Sequence, residues 1–79
     1  MRLDKYLKVT RLIKRRTVAN EACDAGRITV NGNVVKASYN VKIDDIIGIN
    51  LGSKSLKVKV VNISEYANKE NASDNYIIL

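Results

Sequence analysis

At Gly26 the hydrophobic period of this 79-residue chain changes from helical to alternating, and that switch limits what it can fold into more than any other feature. Upstream, Leu3, Tyr6 and Leu7 fall within one arc of about 100° at helical spacing, while Arg2, Lys5 and Lys8 point elsewhere. The spacing predicts a helix from Leu3 to Val9. Leu12 and Ile13 form an apolar pair that anchors the connection to a second helix, predicted from about Arg15 to Ala25. Val18, Ala19, Ala22 and Ala25 make its apolar stripe, Asn20, Glu21 and Asp24 face water, and Cys23 flanks the stripe as a small core residue. Gly26 then supplies the left-handed position that ends a helix.

Downstream, Arg27-Ile28-Thr29-Val30 sends Ile28 and Val30 to one side, as a half-buried strand does. Asn31-Gly32 is the strongest short hairpin signal, since both turn positions tolerate φ > 0, and Val34-Val35 begins the return. Ile43, Ile46, Ile47, Ile49 and Leu51 add strand-type residues around Asp44-Asp45, which read as polar turn residues. Gly52-Ser53 marks a turn. Leu56 to Val60 alternates cleanly, and Val61 and Ile63 continue one residue out of phase, which predicts a β-bulge or strong twist there. Residues 67–75 are almost devoid of apolar side chains and read as a mobile loop or tail. Tyr76–Leu79 is apolar again, either a strand returning to the sheet or a docking peptide. The expected fold class is α+β: two N-terminal helices packed on a small, mainly antiparallel sheet, with a domain over 1–66 and a tail over 67–79.

Composition narrows the function. With no histidine the commonest general base is missing, no zinc set is available, and the serines have no base beside them in any catalytic motif. The four glycines fit no phosphate-loop spacing. Neither a catalytic site nor a metal or other cofactor is expected. One cysteine gives no internal disulfide and fits a reducing compartment, and no apolar run approaches a membrane span or a signal core, so a cytoplasmic protein is expected.

The net charge of +6 is concentrated at one end. Residues 1–16 hold Arg2, Lys5, Lys8, Arg11, Lys14, Arg15 and Arg16 against Asp4 alone, and residues 17–79 carry seven basic and seven acidic side chains. A neutral body with one basic end is the footprint of a polyanion-binding surface. The competing reading is a solvated helix face that only confers solubility. No acid is interleaved at i+4, and Lys14-Arg15-Arg16 repel one another unless an anion relieves them.

The order Arg2-Leu3-Asp4-Lys5-Tyr6-Leu7, Lys14-Arg15-Arg16-Thr17-Val18-Ala19, Gly26-Arg27-Ile28-Thr29-Val30-Asn31-Gly32, then Ser38-Tyr39, Val41-Lys42 and Asp45 resembles the αL RNA-binding motif of the S4-type domain family. The likeness covers residues 2 to about 50. Within the superfamily the short basic opening is similar to the RqcP branch of ribosome-associated quality-control factors, and also to the heat-shock protein fifteen group. Three positions depart from the family pattern: Arg15 stands where Ser is common, Ala37 where Pro is, and Asp44 where Gly is.

The resemblance implies a two-helix surface that docks on structured RNA. In the RqcP branch the implied partners are large-subunit ribosomal RNA and tRNA on a stalled large ribosomal subunit. There the protein holds peptidyl-tRNA while an RqcH-type tailing factor directs C-terminal alanine addition. The chain is then expected to be ribosome-associated, and a monomer when free. The candidate RNA-binding residues are Arg2, Lys5, Lys8, Arg11, Lys14, Arg15 and Arg16. Arginines grip phosphates bidentately, and Arg15 and Arg16 sit at a helix amino end, where phosphate is favoured. With five or six phosphate contacts, log affinity falls with log salt at a slope of about −4 to −5. Asp4 either pairs with a helix-2 arginine, Arg16 first, and orients it, or is an ordinary first-turn acid. Tyr39 is a possible stacking residue, and Tyr6 shares the core face. Three rivals stand beside this reading: a heat-shock or ribosome-assembly factor on free large subunits, a small helix-turn-helix DNA-binding protein, and an adaptor using Tyr76–Leu79.

Overall fold

The computed structural model describes residues 1–64 and 72–79. Helices α1 (Leu3–Val9) and α2 (Arg16–Asp24) lead into β1 (Ile28–Val30), β2 (Asn33–Val34), β3 (Ile46–Asn50) and β4 (Ser55–Val60); a 3-10 turn (Ala72–Asn75) precedes β5 (Tyr76–Ile78). The strands form one antiparallel sheet in the order β2-β1-β3-β4-β5. This is the α+β architecture expected.

The alternation read from the sequence sets the register. Ile28 lies opposite Ile49, Val30 opposite Ile47, Ile47 opposite Val58 and Val58 opposite Ile78, so one sheet face is apolar. Ile28, Val30, Ile47, Ile49, Val58 and Val60 from that face bury themselves with Leu3, Tyr6, Leu7, Ile13, Ala19, Ala22 and Cys23. Each fully buried aliphatic side chain contributes about 1.5–3 kcal/mol, which is how so short a chain holds a fold without a staple.

Local signals close the elements. At the end of α2, Gly26 has φ of 72° and donates to Cys23 O at 3.0 Å, while Arg27 N donates to Ala22 O at 2.9 Å. This paired pattern satisfies the last helix carbonyls and needs a residue free to turn left-handed. Asn31 (φ 53°) and Gly32 (φ 86°) form a two-residue hairpin turn matched to sheet twist. Just past β4, the N–H groups of Val61 and Asn62 both donate to Asn75 O, at 3.0 and 3.2 Å. Two donors on one carbonyl is the signature of a bulge, at the place where the apolar phase slips.

Several expectations need correcting. The core stripe of α2 is Ala19, Ala22 and Cys23; Val18 is 44% exposed and Ala25 is exposed as well. The five small apolar residues Val18, Ala19, Ala22, Cys23 and Ala25 span about 160° of the helix at 100° per residue, so the pattern allows a range of rotations. Contacts from α1, described below, settle which one is adopted. Ile43 and Leu51 are exposed and lie outside β3, and β2 stops at Val34, leaving Val35 half-buried beyond it. Asp45 is buried rather than a solvated turn residue. Of the polar segment 67–75, residues 67–71 lie outside the described residues, and Ala72–Asn75 is a 3-10 turn. Tyr76–Ile78 returns to the sheet as β5, so the sheet draws on both segments into which the sequence divides.

Candidate nucleic-acid interface

The amino end of α1 is held by the chain segment 37–41. Leu3 N donates to Tyr39 O at 2.8 Å and Asp4 N to Ala37 O at 3.2 Å, which satisfies two of the donors a helix start leaves unpaired. Val41 N donates to Met1 O at 2.9 Å, and the terminal ammonium donates to Asn40 Oδ1 at 2.8 Å. That segment is itself fixed by Asp45, 6% exposed, whose carboxylate accepts from Tyr39 Oη at 2.9 Å, Lys42 N at 2.9 Å and Asn31 Nδ2 at 3.2 Å. Asn31 Oδ1 accepts in turn from Ile46 N at 3.0 Å. Asn31, Tyr39 and Asp45, scattered through the motif, thus form one network that sets where α1 begins. The hydrogen bond to Asp45 pushes the Tyr39 phenol above its ordinary pKa. Tyr39 is half-buried against the core with its hydroxyl engaged, so it serves as a strut of this segment.

On that platform Asp4 is 2% exposed. Its carboxylate accepts from Arg2 Nε at 3.2 Å and Arg2 Nη2 at 3.3 Å, from Lys5 N at 2.8 Å, and from Asn20 Nδ2 at 3.4 Å. Arg16 Nε lies 3.4 Å from its Oδ2. Arg16 and Asn20 are one turn apart on the flank of α2 that faces α1, so both reach the same oxygen. Burial alone would raise the Asp4 pKa. The hydrogen bonds from Arg2, Asn20 and Lys5 N, with the Arg16 charge, outweigh it and hold the carboxyl below its ordinary 3.8. Both arginine side chains stay about half exposed, at 50% and 48%. A shallow groove lined by Asp4, Arg16, Thr17, Asn20 and Glu21 runs beside them.

The remaining cations are placed differently. Lys8 lies on the outer face of α1; Arg11 and Lys14 follow in the connection to α2. All three are exposed and, with Val9, line a second concavity. Arg15 is the N-cap residue of α2, with no side-chain cap hydrogen bond, and no acid occupies the first turn of that helix. The amino end of α2 is therefore open between Arg15 and Arg16. Lys5 is half-buried on α1.

Three contributors were not foreseen from the sequence. Asn20, expected to face water, is half-buried against Asp4; its i+4 spacing from Arg16 is the signal that marks it. Arg2 engages Asp4 from the N-cap position of α1. The Asp45 network joins residues 6 to 14 positions apart, which local pattern does not show. Cys23 is 3% exposed, and burial, with Asp4 and Asp24 nearby, pushes its thiol up to about 11, so it stays a protonated core residue. Tyr6 is a core residue whose hydroxyl donates to Asn75 O at 2.6 Å, tying α1 to the turn before β5. Among the described residues no helix is long and apolar enough to cross a membrane.

Two helices seated on a small antiparallel sheet are the arrangement that the motifs implied; the bracing carboxylate and the Asn31–Tyr39–Asp45 network are what hold it in place. The chain belongs to the S4 domain family: the family model matches residues 1–47. Several relatives that match nearly the whole chain bear the name RQC P-site tRNA stabilizing factor. The protein of that name from Halalkalibacterium halodurans is 57% identical over 76 residues, 96% of this chain and 86% of the relative. The one from Bacillus subtilis is 51% identical over 79 residues, all of this chain and 92% of the relative. Among solved structures, heat shock protein 15 of Vibrio cholerae superposes with a TM-score of 0.93 at 28% identity, covering all of this chain and 81% of that one.

Proposed function

We propose that the protein is a non-enzymatic, ribosome-associated RNA-binding factor of the cytoplasm. It docks on ribosomal RNA of the large subunit and stabilises P-site tRNA during rescue of stalled nascent chains, alongside an RqcH-type tailing factor. The observation that carries this reading is the Asp4-braced pair Arg2 and Arg16 on two helices, joined by Arg15 at an uncapped helix start and by Lys5, Lys8, Arg11 and Lys14. Near-full-length likeness to proteins named RQC P-site tRNA stabilizing factor supports the ribosomal target.

The mechanism is recognition of shape. The major groove of A-form RNA is closed to side chains, so affinity comes from phosphates and from unpaired bases. Guanidinium groups held in one orientation donate to two phosphate oxygens, or stack on a base, without first losing rotamer freedom. Asp4 is a positioning residue that acts through them, and Tyr39 contributes by stiffening the segment beneath. The likeness to heat shock protein 15 favours a second reading, a factor for free large subunits. Sucrose-gradient sedimentation of tagged protein, wild type against Arg16→Ala, separates the outcomes. Wild type travelling with large subunits that retain peptidyl-tRNA, and the variant left at the top, is the expected result. Wild type on large subunits without tRNA gives the second reading; wild type at the top defeats both.

A further inference from the structure

Lys8, Arg11 and Lys14 surround a concavity whose fourth lining residue is Val9. None of the three side chains makes an ion pair or hydrogen bond among the described residues. Cations at the carboxyl end of a helix often serve its unpaired carbonyls, but here that work is done by other groups. Tyr6 O accepts from Thr10 N at 3.0 Å and Thr10 Oγ1 at 2.7 Å, Leu7 O from Ile13 N at 3.1 Å, and Lys8 O from Arg11 N at 3.1 Å. Arg11 is also held at φ of 61°, a left-handed conformation that L residues adopt at a cost, because Ile13 N reaches back to Leu7 O across the turn. The turn thus gathers three like charges around one hollow with no acid in its lining.

Resting on the RNA-binding reading above, we infer that this hollow is a discrete site for converging backbone phosphates, where an RNA strand bends sharply at a bulge or loop. A phosphodiester carries one negative charge. Three unmatched cations around one hollow exceed what a single phosphate of a regular helix supplies, and they match a place where two or three phosphates draw together. The site is separate from the Asp4-braced arginines and selects a different feature: backbone curvature.

The test compares two RNA hairpins of equal length and charge at one salt concentration, one fully paired and one with a three-nucleotide bulge. The protein is wild type, the double variant Lys8→Gln with Lys14→Gln, and Arg11→Asn, which tolerates the left-handed backbone. Wild type is expected to prefer the bulged RNA by about tenfold, a difference of about 1.4 kcal/mol. In both variants the preference falls to about one, so binding of the bulged RNA drops about tenfold more than binding of the duplex, which also loses the general contribution of these cations. A bulge preference that survives in the variants, or equal loss on both RNAs, overturns the site. Wild type that binds both RNAs equally overturns the site and leaves RNA binding standing, and wild type that binds neither overturns both.

Discussion

Arg2 and Arg16 lie against a buried carboxylate, whereas Lys8, Arg11 and Lys14, beginning one helical turn further along α1, touch no acid among the described residues. Each of these side chains carries the same unit charge, so what differs residue by residue is the entropy it loses on binding. Immobilising a long side chain costs about 0.5–1.5 kcal/mol, and Asp4 has already imposed that cost on the two arginines during folding. The unbraced set keeps its freedom until phosphates gather around it, so its contribution is ordered only on binding and is steeply weakened by salt. One basic ridge therefore holds a grip ordered during folding and one ordered only on binding, and a net charge of +6 distinguishes neither.

The largest expected effect on this contrast comes from Asp4→Asn. Losing the carboxylate releases both guanidinium groups, and RNA affinity at neutral pH should fall about tenfold although net positive charge rises by one. Measured by titration at fixed salt, an unchanged or tighter affinity would reduce the ridge to charge alone. Folding stability should fall as well, by about 1–2 kcal/mol, less than for a fully buried pair because both partners are half in water. The stability difference has a pH signature. The folded-state pKa of Asp4 lies below its ordinary 3.8, so its contribution is complete above that value and is lost as pH falls through the lower, folded one. Thermal melts of wild type and Asp4→Asn should be separated by a constant amount from neutral pH down to about pH 4 and converge below it.

A smaller and opposite effect follows at Arg15. Restoring the Ser common in the family gives α2 the side-chain cap it lacks, so Arg15→Ser should raise stability by about 1 kcal/mol in chemical denaturation. The same change should weaken RNA binding and reduce the salt slope by about 1. Stability and affinity moving together would mean that Arg15 serves the fold instead of the ligand.

The helices and strands were legible because each announces itself within a few residues. Leu3, Tyr6 and Leu7 mark α1, Gly26 ends α2, Asn31-Gly32 turns the hairpin, and Leu56, Val58 and Val60 alternate. Asp4 and its charge neighbours were legible as a cluster, with Arg16 the first candidate among two open readings of Asp4. What the local pattern did not carry was rotation and long-range bonding. The α2 stripe of small residues fits several rotations, and the reach of Arg16 and Asn20 to Asp4 turns Cys23 inward and Val18 outward. Asp45 looks like any turn acid until Tyr39, Lys42 and Asn31 are brought round it. Asp44, at a position where the resemblance makes Gly common, has φ of 75°, so the departure occupies a position that favours glycine and that aspartate tolerates.

The most direct test of the central claim is nitrogen-15 relaxation of the arginine Nε–H groups in the free protein. Order parameters for Arg2 and Arg16 should stand well above those of Arg11 and Arg15, and in Asp4→Asn all four should become alike. If Arg2 and Arg16 are already as mobile as Arg11 and Arg15 in the wild type, the carboxylate braces nothing and the two halves of the ridge are one.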